Sequence, residues 1–137
     1  MSQVESSRIT PPFLSRIVHR PRLLHRLQES ENHPVILVLG QAAQGKSTLA
    51  ASFAQSSPVR NAWLSVYPED DDPVNFFYAT ASALGPFLEE KDADSLLSYP
   101  NHSLGPREQG ALFRDWSRAL LDQISSPVRI TFDGLDR

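Results

Sequence analysis

The chain contains no cysteine. That excludes disulfide staples and thiolate metal sites, and it agrees with a reducing compartment. Long hydrophobic runs are also missing. The longest, Val35-Ile36-Leu37-Val38-Leu39, falls far short of the ~20 residues a membrane-spanning helix needs. Met1 to Thr10 are polar and lack the apolar centre of a secretion signal. Positive charge is in deficit: 13 Lys and Arg face 16 Asp and Glu, for a net charge of −3. No broad basic footprint is present, so no nucleic-acid binding by this segment is expected. The four histidines, at 19, 25, 33 and 102, show no close metal-ligand spacing and read as surface groups. These absences predict a cytoplasmic chain without a membrane segment, whose 137 residues suffice for one domain but not two.

Residues 40–47 read Gly40, Gln41, Ala42, Ala43, Gln44, Gly45, Lys46 and Ser47. This is the phosphate-binding loop pattern, which a random chain of this length matches about once in two hundred cases. Each part answers a charge problem. Backbone N–H groups must wrap a polyphosphate closely, and glycines at 40 and 45 permit the approach and the turn. Lys46 can reach the β- and γ-phosphates, and the Ser47 hydroxyl can ligate Mg²⁺. Residues 35–39, preceded by Pro34, are predicted as a buried strand. Residues 46–56 are predicted as a helix with Leu49, Ala50, Phe53 and Ala54 on one face, its N-terminus aimed at the anion.

Residues 1–12 are polar, end in Pro11-Pro12 and read as a flexible lead-in. Residues 21–28 suit a short helix with Pro21 in its first turn and Leu23, Leu24 and Leu27 inward. Arg16, Arg20, Arg22 and Arg26 make this the positive end of the chain, either as a solvated face or as an arm near a nucleotide. Residues 59–66 predict a second strand. The acidic run Glu69 to Asp72 has two readings, a metal site or a cap and solvated loop. Asp72 before Pro73 favours a helix N-cap, followed by helical spacing at Val74, Phe77, Ala81, Leu84 and Leu88. Residues 89–106 read as a loop, and 107–124 as a helix carrying Leu112, Phe113, Trp116, Leu120 and Ile124.

Val128 to Phe132 predict a strand that ends in Asp133-Gly134-Leu135-Asp136. An acid at the C-terminal tip of a strand is where α/β sheets place ligand chemistry, and in phosphate-loop enzymes such an acid holds Mg²⁺. Asp133 is therefore the metal candidate together with Ser47. The alternative is a plain Asp-Gly turn.

Three stretches carry a family resemblance: Val-His-Arg-Pro-Arg-Leu-Leu-His-Arg-Leu at 18–27, the loop at 40–48, and Ala-Trp-Leu-Ser-Val-Tyr-Pro-Glu-Asp-Asp-Asp-Pro-Val-Asn-Phe-Phe at 62–77. Through them the chain resembles the start of the nucleotide-binding domain of STAND-class P-loop ATPases. More narrowly, it is similar to the ATP-dependent transcriptional activators of the maltose-regulon type. Asp133 followed by Gly134 departs from that type, where a second acid usually comes next, and resembles the Walker B of the NACHT branch. The resemblance implies a three-layer α/β sheet of strand order 5-1-4-3-2. It implies an arm at 1–34 bordering the nucleotide and an NTPase core at 35–137. Val18 and Arg20 become base-side contacts, Thr48 a phosphate-side neighbour of Ser47, and Asp136 the group that orients the attacking water. A further acid common in that branch is here Arg137, which implies slow hydrolysis. In that strand order the strand between those of the two motifs comes after Asp133 in sequence. The expectation is thus an incomplete sheet with an unfilled lane, in a piece of a longer protein that is marginal alone.

The resulting functional expectation is an ATP- or ADP-binding, Mg²⁺-dependent switch within a signalling or transcription regulator. Its partners would be C-terminal domains of the same protein and, through nucleotide-dependent self-association, other copies. In the active form Lys46, Asp133 and Asp136 carry the chemistry. Two rivals stay open. One is a phosphotransferase, which would need an acceptor pocket and a mobile Arg-rich lid; Arg107, Arg114 and Arg118 are present but fall on the polar, water-facing side of a predicted helix. The other is an interaction module without turnover.

Overall fold

Two segments rich in branched and aromatic residues, β1 (Arg60–Ser65) and β2 (Val128–Asp133), pair side by side. They do so in a computed structural model that describes residues 6–16, 18–89 and 105–135. The pairing is parallel and in register from Arg60 opposite Val128 to Ser65 opposite Asp133. A parallel pair needs a long crossover, and among the described residues two helices lie in it. They are α3 (Pro73–Leu84) and α4 (Pro106–Asp122). Two further helices, α1 (Pro21–Glu29) and α2 (Lys46–Ser56), precede β1. Most of the predicted loop 89–106, together with Asp136 and Arg137, lies outside the described residues.

The helix ends follow local chemistry. The Asp72 carboxylate accepts from the N–H groups of Val74 (2.8 Å) and Asn75 (3.4 Å), and Pro73 opens α3 where its missing N–H costs nothing. The cap reading of Asp72 is therefore the one observed. Pro106 starts α4 in the same way, and the Glu108 carboxylate reaches back to the Gly105 N–H at 3.1 Å. The start of α2 at Lys46 follows Gly45, whose φ of +79° only glycine adopts without cost.

Side chains alternate across the strands, and the two faces bury different partners. Ala62 and Leu64 of β1 meet Ala79, Ala81, Ala83 and Leu84 of α3 and Trp116 and Leu120 of α4, with Ile130 and Phe132 of β2 alongside. Phe77 bridges the two helices. Its ring stacks on Phe113 at 4.3 Å and meets Trp116 edge-on at 5.1 Å. The other face receives α2, where the Arg129 guanidinium lies 4.4 Å over the Phe53 ring. The described residues thus form helices on both sides of a two-stranded parallel sheet.

Three expectations need correction. Residues 35–39 are not a buried strand. Val35, Leu37 and Leu39 are 79%, 71% and 81% exposed, and the sheet among the described residues holds only β1 and β2. Exposed and half-buried positions alternate there, as in a strand, but strand identity also needs a hydrogen-bonded neighbour. The N-terminal segment is not a loose lead-in throughout, since Ser6–Ile9 form a 3-10 turn against β1 with Arg8 buried. On α2, Ala51 and Phe53 are the buried positions, whereas Leu49, Ala50 and Ala54 are half-buried. The helix packs on α1 and also meets β2 through Phe53 and Ser47, so more than one face is covered.

Candidate functional site

The 40–47 loop lies between the exposed run at 35–39 and the first turn of α2. Its turn is made at Ala43 (φ +60°) and Gly45 (φ +79°). Gly40 is not in the left-handed region, and a side chain there would have to displace the end of Gln44. A Cβ there would sit 2.7 Å from the Gln44 side-chain oxygen. Lys46 folds back so that its Nζ donates to the Gly40 carbonyl at 2.6 Å. The Gln44 Oε1 accepts from the Gln41 N–H at 2.9 Å. These bonds tie the start of the loop to its end.

Ser47 and Asp133 meet. The Ser47 hydroxyl donates to Asp133 Oδ1 at 2.7 Å, across 86 residues of chain. Local geometry makes the meeting. Ser47 is the second residue of α2, so its side chain projects at the helix N-terminus. Asp133 is the last residue of β2, and the backbone turns away at Gly134 with φ +91°. The Asp133 carbonyl is fixed by the Val66 N–H at 2.8 Å, which extends the sheet register by one bond beyond Ser65.

Hydroxyl and carboxylate together form a hard-oxygen pair. Mg²⁺ is commonly held by one or two protein oxygens, with water and phosphate oxygens completing the octahedron, and this pair fits that mode. Among the described residues no cluster of three or more His, Asp or Glu could hold a metal by itself. The acidic run at Glu69 to Asp72 has two of its carboxylates in structural contacts. Asp72 caps α3, and Asp70 is buried against Arg8.

Val18, Arg20 and Thr48 line a common pocket of about 470 Å³, with Leu24, Leu49 and Ser52 on its apolar and polar walls. The pocket lies beside the loop, because Ala43 and Gly45 also border it. Thr48 therefore faces the α1 side of the loop, away from the Ser47–Asp133 contact. Arg20 does more than line the pocket. Its Nη1 donates to the Gln44 carbonyl at 2.7 Å, and the guanidinium lies over Gly45. Gln41 and Ala42 stand on the exposed outer rim of the loop. Asp136 lies outside the described residues. Arg107, Arg114 and Arg118 are exposed on α4.

Sequence reasoning missed three contacts here. One is the Arg20 bond to the loop backbone, another the Gln44 side chain folded into the loop. The third joins the segment before the run at 35–39 to the sheet. Glu31 Oε1 accepts from the Ser57 hydroxyl and, at 3.0 Å, from Arg129 Nη2. The Ser57 hydroxyl first and Arg129 second hold the Glu31 carboxyl below its ordinary value of 4.5, against a smaller opposing effect of burial. No sequence signal marks these, since each depends on which distant residue the fold brings near.

Comparison of the chain with protein-family models, with curated proteins and with solved structures returns no match. No helix among the described residues is long and apolar enough to cross a membrane.

Proposed function

We propose that this chain is an ATP- and Mg²⁺-binding module of the STAND kind, acting as a nucleotide-dependent switch in a cytoplasmic signalling or transcription regulator. The observation that carries the reading is the 2.7 Å contact between Ser47 and Asp133. Two residues chosen for their chemistry as metal ligands, far apart in sequence, stand within one coordination radius of a common point. In this reading the loop N–H groups and Lys46 bind the β- and γ-phosphates. Mg²⁺ would add charge neutralisation at the phosphate oxygens, held on the protein side by Ser47 and Asp133. The pocket lined by Val18, Arg20 and Thr48 receives the base. The work of the site is positioning and electrostatics, with slow hydrolysis resetting the switch. The exposed arginines of α4 give no support to a phosphotransferase lid.

Titration with a fluorescent ATP analogue, with and without Mg²⁺, tests the proposal. Lys46→Ala should weaken binding about 10- to 100-fold, the worth of one charge-assisted hydrogen bond. Ser47→Ala and Asp133→Asn should instead remove the part of the affinity that depends on Mg²⁺. A folded chain that does not bind at millimolar nucleotide refutes the reading and leaves an interaction module as the better one.

A further inference from the structure

Arg20 stands at three junctions at once. Its backbone is the N-cap of α1, where its carbonyl accepts from the Leu23 and Leu24 N–H groups at 3.1 and 3.0 Å. Its side chain lines the pocket of about 470 Å³. The guanidinium then reaches the 40–47 loop, where Nη1 donates to the Gln44 carbonyl at 2.7 Å. It also lies over Gly45: a Cβ built there would meet Nη2, Cζ and Nη1 at 3.4, 3.6 and 3.8 Å. Gly45 is in turn the N-cap of α2, and its carbonyl takes a helical bond from the Leu49 N–H at 3.0 Å. One side chain therefore ties the start of α1 to the start of α2, and those two helices pack on each other.

The bond to Gln44 also sets a direction. The Gln44–Gly45 peptide is trans and planar, so a carbonyl turned toward Arg20 sends the Gly45 N–H the opposite way, off the pocket side. Gly45, at φ +79°, is a glycine and would accept other orientations of that peptide at little cost. The orientation has to be imposed from outside the loop. We infer that Arg20 is a positioning residue for the phosphate loop: it fixes the Gln44–Gly45 turn and makes the pocket wall and the loop one unit. The inference rests on the nucleotide reading above and adds to it. A base-side contact serves only the base, whereas Arg20 serves the phosphates too, through the backbone and without touching them. The guanidinium is a rigid planar fork, so the group that lines the pocket and the group that holds the loop cannot move independently.

A ligand without a base separates the two roles. Inorganic tripolyphosphate with Mg²⁺, read by competition against the fluorescent ATP analogue, engages the loop alone. Arg20→Met should weaken tripolyphosphate about three- to tenfold, the worth of one hydrogen bond, and the analogue by at least as much. Arg22→Met removes an equal charge from the exposed first turn of α1 and should leave both affinities within about twofold. In the ligand-free chain the Gln44 carbonyl carbon resonance should move upfield in Arg20→Met and stay in place in Arg22→Met. The urea midpoints of both variants should match the parent, because both side chains are exposed. Loss confined to the analogue leaves Arg20 a base-side contact and overturns the inference. An equal loss in Arg22→Met does the same, since net charge then accounts for it. A parent chain that binds the analogue but not tripolyphosphate overturns it as well, with the nucleotide site still standing. A folded parent that binds neither at millimolar concentration overturns both.

Discussion

Removing the Arg8 side chain should expose how the N-terminal turn is attached. The Asp70 side chain is 1% exposed and that of Arg8 is 11% exposed. One Asp70 oxygen accepts from Arg8 Nη2 and from the Tyr67 N–H at 2.8 Å, and the other has no partner among the described residues. Arg8 also lies 4.3 Å over the Tyr67 ring, and its Nε donates to the Ser65 carbonyl at 3.3 Å. In Arg8→Met the carboxylate would keep one N–H and no counter-charge. Breaking such a buried pair by removing one partner costs about 3–5 kcal/mol when nothing relaxes.

Here something can relax. The Ser6–Ile9 segment is a single 3-10 turn whose buried residue is Arg8, so it can lift away once that side chain is gone, which returns Asp70 to water. Lifting forfeits the partial burial of Ile9, about 1 kcal/mol, and little more once the cation–π contact is already gone. The expected cost of Arg8→Met is therefore about 2–3 kcal/mol, the docking energy of the turn, rather than the full penalty. Asp70→Asn retains an acceptor for Tyr67 and leaves Arg8 its ring and carbonyl contacts, so it should cost about 1–2 kcal/mol. The double variant should be less destabilised than the sum of the two by about 1–2 kcal/mol, because neither charge is then buried alone. Urea melts give the energies, and hydrogen exchange at residues 6–10 reports whether the turn has lifted. Strictly additive costs, or an Arg8→Met chain that loses under 0.5 kcal/mol with residues 6–10 still protected, would refute the argument.

Two further outcomes concern the segment before the 40–47 loop. Glu31 is held below its ordinary value by Ser57 and Arg129, so its contribution to stability is fully present above the ordinary glutamate range. It is lost as pH falls through the lowered value. Denaturation midpoints of the parent and of Glu31→Gln, measured from pH 7 down to pH 3, should therefore converge on acidification, and a constant gap across that range would refute the assignment. Leu37 is 71% exposed, so Leu37→Lys should change stability by under about 0.5 kcal/mol while reducing self-association at high concentration. A loss of several kcal/mol in a urea melt would mean that the run at 35–39 is buried in solution.

What could be read from the sequence was what depends on near neighbours. Asp72-Pro73 writes a cap and a first turn into adjacent residues, and α3 begins there. Gly45 followed by Lys46 marks the start of α2 for the same reason. Residues 128–133 have the composition of a strand and pair as one. Legibility fails where the decisive partner is remote. Arg8 looks like any arginine in a polar lead-in until Asp70, 62 residues away, closes over it. The apolar run at 35–39 has everything a strand needs except a ladder, and a ladder belongs to two segments. The site divides in the same way. Ser47 and Asp133 could be proposed as a pair because both residue types and both element ends are visible in the sequence. The attachment of Arg20 to the Gln44 carbonyl, and of Gln44 to the Gln41 N–H, could not.

The position of the 40–47 loop has a consequence for how tightly it can hold anything. Glu31 is bonded to Arg129, near the start of β2, and Ser47 to Asp133, at its end. Four residues of strand separate those anchors, roughly 13 Å. The chain from Glu31 to Ser47 is thus tied to β2 near both of its ends, and among the described residues it has no place in the sheet. Its placement is set by side-chain bonds, Glu31 at one end and Ser47 at the other, with Arg20 pinning Gln44 between them. Each such bond is worth about 1 kcal/mol, against a strand ladder that would fix five residues cooperatively. A ligand bound at the loop must supply whatever ordering these three pins do not, and that requirement subtracts from its affinity. Loss of any one pin adds to it, even for residues such as Glu31 that lie well away from the loop and touch no ligand.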